Sequence, residues 1–75
     1  MLFKPSYTKY NNYEINYISS NPNAIYILEN NLDKVNWPHL SINPNAIYIL
    51  QNNLRKVNWV WLSMNPNAIS ILEKN

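Results

Sequence analysis

One histidine, three glutamates, one aspartate, five lysines and one arginine are the charged or readily titrated side chains with which this chain could do chemistry. General acid–base catalysis needs two such groups held together with shifted pKa values, and a metal site needs three or four ligands. His39 stands alone, so it brings no second imidazole to a metal, and no Ser, His and carboxylate recur together in a pattern that would assemble a triad. There is no cysteine to act as nucleophile, thiolate ligand or disulfide, and no glycine to build a phosphate-cradling loop. The expectation is a non-enzymatic protein without catalytic, cofactor-binding or metal-binding residues, in which His39 is a surface residue.

A second chemistry is charge with stacking. Lys34, Arg55 and Lys56, together with Trp61 or with Tyr26 and Tyr48, could contact nucleic acid. A net charge of +2 without a basic run favours a solvated face instead, so nucleic acid is the least favoured partner. No segment approaches 18 consecutive apolar residues, and Met1-Leu2-Phe3-Lys4-Pro5 is not followed by an apolar signal region. An intracellular chain, neither secreted nor held in a membrane, is expected.

The elements that position these residues are set by a repeat. Asn-Pro-Asn-Ala-Ile occurs at 21–25, 43–47 and 65–69, each start 22 residues after the last, and residues 21–42 match 43–64 at 17 of 22 positions. A fixed period of this length marks units that stack, each covering its neighbour's apolar face. The organisation read from it is an N-terminal leader and degenerate capping half-repeat over 1–20, then two full repeats (21–42 and 43–64) and a half repeat (65–75). Moving back one period from Trp37, Leu40 and Ser41 reaches Ile15, Ile18 and Ser19, so 13–20 looks like a degenerate second helix. Sixteen Asn, nine Ile and six Tyr follow from A+T-rich codons, and only Asn at equivalent positions of successive repeats needs a structural reason.

Within one repeat, Asn21 before Pro22 reads as a helix start, Asn as N-cap and Pro at the first helical position. Ala24, Ile25, Leu28 and Leu32 then share one face, with Asn23, Tyr26 and Asn30 opposite. Asn30-Asn31 reads as a left-handed C-terminus. This is helix A, roughly 22–31, with equivalents at 44–53 and 66–75. Helix B could start at Asp33 or at Asn36. Pro38 decides for Asn36, because counted from Asp33 it lies in a helix interior at a cost of about 3 kcal/mol. Helix B is therefore short, about 37–42, with Trp37 and Leu40 on its buried side. The β-formers in Ala24-Ile25-Tyr26-Ile27-Leu28 also suit a strand-containing solenoid, but the preceding Asn-Pro start and the absence of an L-x-x-L-x-L pattern favour an all-α fold. The fold class is all-α, with short tandem helix-turn-helix repeats stacked as a small α-solenoid fragment.

Trp-x-x-Leu-Ser-x-Asn-Pro-Asn-Ala-Ile-x-Ile-Leu-Glu-x-Asn, read from Trp59 to Asn75, resembles a short tandem repeat found in many uncharacterised proteins of giant DNA viruses. The resemblance covers 13–75 and implies a viral origin and a helical repeat fold, with residence in the host cytoplasm or the virion; it implies no activity. Asn-Pro-Asn-Ala is also similar to the turn-forming repeat of a malaria surface antigen, over those four residues only.

The five pairs that differ between repeats are 29/51, 33/55, 38/60, 39/61 and 42/64. Glu29, Gln51 and Glu73 align, as do Asp33 and Arg55, a mixture that suggests solvated faces with weak salt bridges between units. Trp37 and Trp59 recur with Val35/Val57 and Leu40/Leu62 and are read as core. Trp61 replaces His39 and cannot share a face with Trp59, so it is expected to be exposed, as hot-spot tryptophans are. Pro38, His39, Ile42, Val60, Trp61 and Met64 form the candidate interaction surface. Ala68, Ile69 and Leu72 of the last helix A are expected to be covered by a second copy or another protein, giving self-association or partner binding through open repeat ends. The function read from this is a protein-interaction repeat module, the alternative being a small structural or virion-associated protein. Far-UV circular dichroism should be dominated by helix and Ile27→Pro should abolish it; a strand-dominated spectrum would contradict the fold class.

Overall fold

A computed structural model describes Lys4 and residues 9–74. The expected leader, 1–12, falls mostly outside the described residues, as does Asn75. Every regular element described is helical, and no strand occurs among the described residues. The helices are α1 (Asn12–Ile18), a single 3-10 turn (Pro22–Ala24) continuing into α2 (Ile25–Leu28), α3 (Trp37–Ser41), α4 (Ile47–Gln51), α5 (Trp59–Leu62) and α6 (Ile69–Lys74).

α1 occupies the place read as a degenerate helix B and buries Ile15 and Ile18. Its start is a capping box: the Asn11 side chain accepts from the Glu14 backbone N–H at 2.8 Å, and the Glu14 carboxylate accepts from the Asn11 N–H at 3.0 Å. The Lys4 ammonium lies 2.7 Å from the same carboxylate. The Asn11 backbone bond first, and the Lys4 bond second, hold the Glu14 carboxyl below its ordinary pKa.

In the first copy the Asn-Pro-Asn-Ala segment opens helix A as the sequence suggests, Asn21 capping the 3-10 turn with Pro22 in its first turn, whereas in the later copies the segment forms a separate turn ahead of the α-helix. Asn43 Oδ1 accepts from the Asn45 N–H at 3.1 Å and Asn43 O from the Ala46 N–H at 3.1 Å, closing a turn on itself. Asn21 and Asn65 close the same turn. The α-helix begins only at Ile25, Ile47 or Ile69, so helix A is shorter than predicted. This moves its buried stripe. Ala24, Ile27 and Leu28 are buried while Ile25 and Leu32 are half-buried, and Ala46, Ile49 and Leu50 repeat the pattern. Leu32 lies in a turn beyond the helix, where a 100° step no longer fixes its direction.

The helix A terminus also differs from expectation. No described residue has positive φ, so Asn31 is not left-handed. Its side-chain amide instead donates to Ile27 O at 2.8 Å, and Asn53 does the same to Ile49 O at 2.7 Å, satisfying carbonyls that a helix end leaves open. Helix B starts where Pro38 places it: Asn36 Oδ1 accepts from the His39 N–H, and Asn58 Oδ1 from the Trp61 N–H.

Hydrogen bonds tie equivalent residues of successive repeats at a constant step. The Asn43 amide, on a fully buried residue, donates to Ser19 O and Asn21 O at 3.0 Å each. Asn65 donates to Ser41 O and Asn43 O at 2.9 and 2.8 Å. Asn45 and Asn67 reach back to Pro22 O and Pro44 O. The buried hydroxyl of Ser19 donates to Ile15 O and accepts from the Asn36 N–H, and Ser41 does likewise between Trp37 O and the Asn58 N–H. Among the described residues no buried side-chain polar atom lacks a partner. Ala24, Ile27, Leu28, Val35, Leu40 and their equivalents complete one continuous apolar cluster beside this network.

The expected salt bridges between repeats are not formed; Lys4–Glu14 is the ion pair among the described residues. Glu29 instead accepts a short hydrogen bond from the Tyr48 hydroxyl of the next repeat. That bond, more than burial or charge, raises the Tyr48 pKa above its ordinary value. The contact therefore contributes below the ordinary tyrosine pKa and is lost as pH rises through the raised one.

Asn43→Ala removes two donors from buried carbonyls and opens a turn, and should cost roughly 2–4 kcal/mol in a thermal or urea melt. Asn43→Asp should melt lower still near neutral pH and recover as pH falls, because only a protonated carboxyl can donate to Ser19 O or Asn21 O. A melting curve unchanged by Asn43→Ala would remove this bond set from the list of what holds the repeats together.

Candidate interaction surface

α3 and α5 pack against each other as equivalent elements one period apart. Their first turns are fixed by the Asn36 and Asn58 caps, and Pro38 sits early enough in α3 that its missing N–H costs nothing. The outer positions of the two helices are thereby set side by side. His39 and Trp61, at the same repeat position, meet edge-to-face with ring centroids 5.1 Å apart and planes at 65°. Trp61, expected to be exposed, is half-buried by this contact, and His39 is half-buried rather than a plain surface residue.

The six candidate residues are unequal. Pro38, His39, Ile42 and Trp61 are half-buried, whereas Val60 and Met64 are 73% and 55% exposed. The exposed part of the surface thus lies on α5 and the turn after it. Stretches 35–50 and 57–72 carry no Asp, Glu, Lys or Arg, so both helix B faces are uncharged. Two of the three cations read as possible nucleic-acid contacts are engaged within the chain: Lys34 donates to Tyr10 O at 3.1 Å, and the Lys56 ammonium lies 5.8 Å from the Trp37 ring centroid, while Arg55 is exposed.

The two repeat tryptophans differ, which corrects their common reading as core. Trp37 is half-buried and packs on the apolar cluster beneath Lys56 of the next repeat. Trp59 is 41% exposed, because no described residue stands to it as Lys56 stands to Trp37. Ile69 and Leu72 follow the same logic at 63% and 36% exposure, but Ala68 is fully buried, against expectation.

A second feature lies beside α6. Ser70 stands where Tyr48 stands one repeat earlier, and Gln51 where Glu29 stands, so the cross-repeat hydroxyl–carboxylate bond has no counterpart there. The lost ring volume leaves an open depression of about 290 Å³ lined by Gln51, Leu54, Ser70, Ile71 and Lys74. Sequence reasoning missed it, although the Tyr-to-Ser change at an otherwise repeated position was its signal.

Comparison with protein-family models, with curated proteins and with solved structures finds no match. No helix among the described residues is long and apolar enough to cross a membrane.

Burial separates the two tryptophans energetically. Trp37→Ala should cost about 2–4 kcal/mol, just under the range for a fully buried aromatic, and Trp59→Ala less than half as much. Equal losses in urea melts would show that the following repeat does not cover Trp37.

Proposed function

We propose that this chain is a non-enzymatic protein-interaction module in which 22-residue helix-turn-helix units stack as a small α-solenoid and present the outer face of helix B to another protein. The observation that carries this reading is the pair Val60 and Met64, both strongly exposed on an uncharged face beside the half-buried Trp61. Exposed apolar side chains around an anchored aromatic are the composition of a contact hot spot. The stacked arrangement is supported by the hydrogen bonds that recur at one period between Asn43 and Asn21 and between Asn65 and Asn43. Three of the five positions that differ between repeats lie on this face, which is where an array can vary without disturbing its own packing. The resemblance to repeats of giant DNA viruses supports a setting in the host cytoplasm or the virion.

Affinity capture with the wild-type chain and with Val60→Asp/Met64→Asp, read by quantitative mass spectrometry, tests the reading. The expected result is a protein retained by the wild type and lost from the variant, with little change in the variant's melting temperature because both sites are exposed. An identical set of retained proteins would contradict it.

A further inference from the structure

The two ends of the asparagine ladder complement each other. Inside the chain, the amide of Asn43 spans Ser19 O and Asn21 O, that of Asn65 spans Ser41 O and Asn43 O, and Asn45 and Asn67 bind the carbonyls of Pro22 and Pro44. One period further on, the equivalent acceptors are the carbonyls of Ser63, Asn65 and Pro66, and among the described residues no side-chain amide reaches them. One period back, the equivalent donors are the amides of Asn21 and Asn23. Asn21 uses its Oδ1 in its own turn, while neither Nδ2 makes a bond among the described residues. The same chain carries the unfilled donors and the unfilled acceptors of one joint.

Apolar exposure follows the same division. Ile69 is 63% exposed where Ile25 and Ile47 are half-buried, and Leu72 is 36% exposed where Leu28 and Leu50 are fully buried. Leu54 and Trp59 are likewise exposed where Leu32 and Trp37 are half-buried. What covers the earlier copies is the following repeat, so the surface has the shape and bonding pattern of that repeat.

We propose that a second copy of this chain docks head to tail on this surface, with the Asn21 amide donating to Ser63 O and Asn65 O and the Asn23 amide to Pro66 O of its neighbour. The joint repeats the intrachain step, so α1 of the incoming copy lies against α5 as α5 lies against α3. Docking requires Lys4 to leave Glu14 and the Tyr10 ring, which it overlies at 5.4 Å, and the Tyr10 hydroxyl to release Lys4 O; these part-buried contacts of one segment are exchanged for the bonds and apolar cover of the joint. The contact is heterologous, each copy keeping one donor end and one acceptor end, and so extends into open chains rather than closing as a two-fold dimer. It uses the ends of the array and goes beyond the lateral contact proposed above.

Sedimentation velocity of the purified full chain from micromolar to millimolar concentration tests this without any other protein, so its outcome is separate from that of the capture experiment. The weight-average mass should rise past that of a dimer. Ile69→Lys blocks the acceptor end and Asn21→Ala the donor end, so each alone should sediment as a monomer. Their equimolar mixture should form dimers and nothing larger, because each variant retains one working end. Should Asn21→Ala fail to fold by circular dichroism, Asn23→Ala removes a donor and leaves the turn closed. A wild type that stays monomeric throughout, a mixture that stays monomeric, or donor-end variants that associate like the wild type would each overturn the proposal.

Discussion

The structure depends on a buried asparagine amide that spans two carbonyls of the preceding repeat. Asn43 and Asn65 each turn Oδ1 inward to close their own turn and Nδ2 outward to bind across the repeat boundary. No other uncharged side chain of this length offers an acceptor and two donors at once, which is why the position is Asn in every copy. The bond set is positional. Moving one repeat by a single residue would place Pro44 or Ile42 (Pro66 or Met64 in the next copy) at the boundary and leave carbonyls buried without partners, a cost of roughly 1–3 kcal/mol for each. Hydrophobic contact pulls the repeats together, and the amides fix the register.

This arrangement suits a chain of 75 residues with no cysteine and no glycine. A core of this size closes only a narrow gap between burial and conformational entropy. Its helices are too short to persist alone in water, so each depends on packing and on caps. Asn supplies the caps: Asn11, Asn36 and Asn58 at helix starts, Asn31 and Asn53 at helix ends, and Asn21, Asn43 and Asn65 in turns. Every one of these is made with negative φ, so the absence of glycine carries no conformational penalty. The Asn content that codon bias alone could produce is thus put to use at the repeated positions.

Helix B was legible because one residue excludes the alternative: Pro38 forbids a start at Asp33 and permits one at Asn36. α1 was legible because Ile15, Ile18 and Ser19 keep the spacing of Trp37, Leu40 and Ser41. Helix A was misread at its C-terminal end, and at its start in the later copies, for one reason. Asparagine satisfies backbone groups in several ways, and a sequence does not say which. The Asn-Pro-Asn-Ala turn and the Asn31 amide on Ile27 O are both local bonds, spanning two and four residues, that compete with a longer helix and a left-handed end, and the residue pattern alone does not rank them. The exposure of Trp59 and the half-burial of Trp61 were hidden because identical residues in a repeat have different neighbours at different places along it. The depression beside Ser70 and the ladder itself were marked only by which residues change and which do not.

If the ladder sets the register, its amide protons must be among the slowest to exchange of any side chain here. Hydrogen–deuterium exchange of side-chain amides, followed by NMR on 15N-labelled protein, reads this directly. Asn43 and Asn65 should exchange slowly and together, with the exposed Asn12 and Asn52 exchanging at the rate of a free amide. Exchange of Asn43 as fast as that of Asn52 in the folded protein would contradict the account.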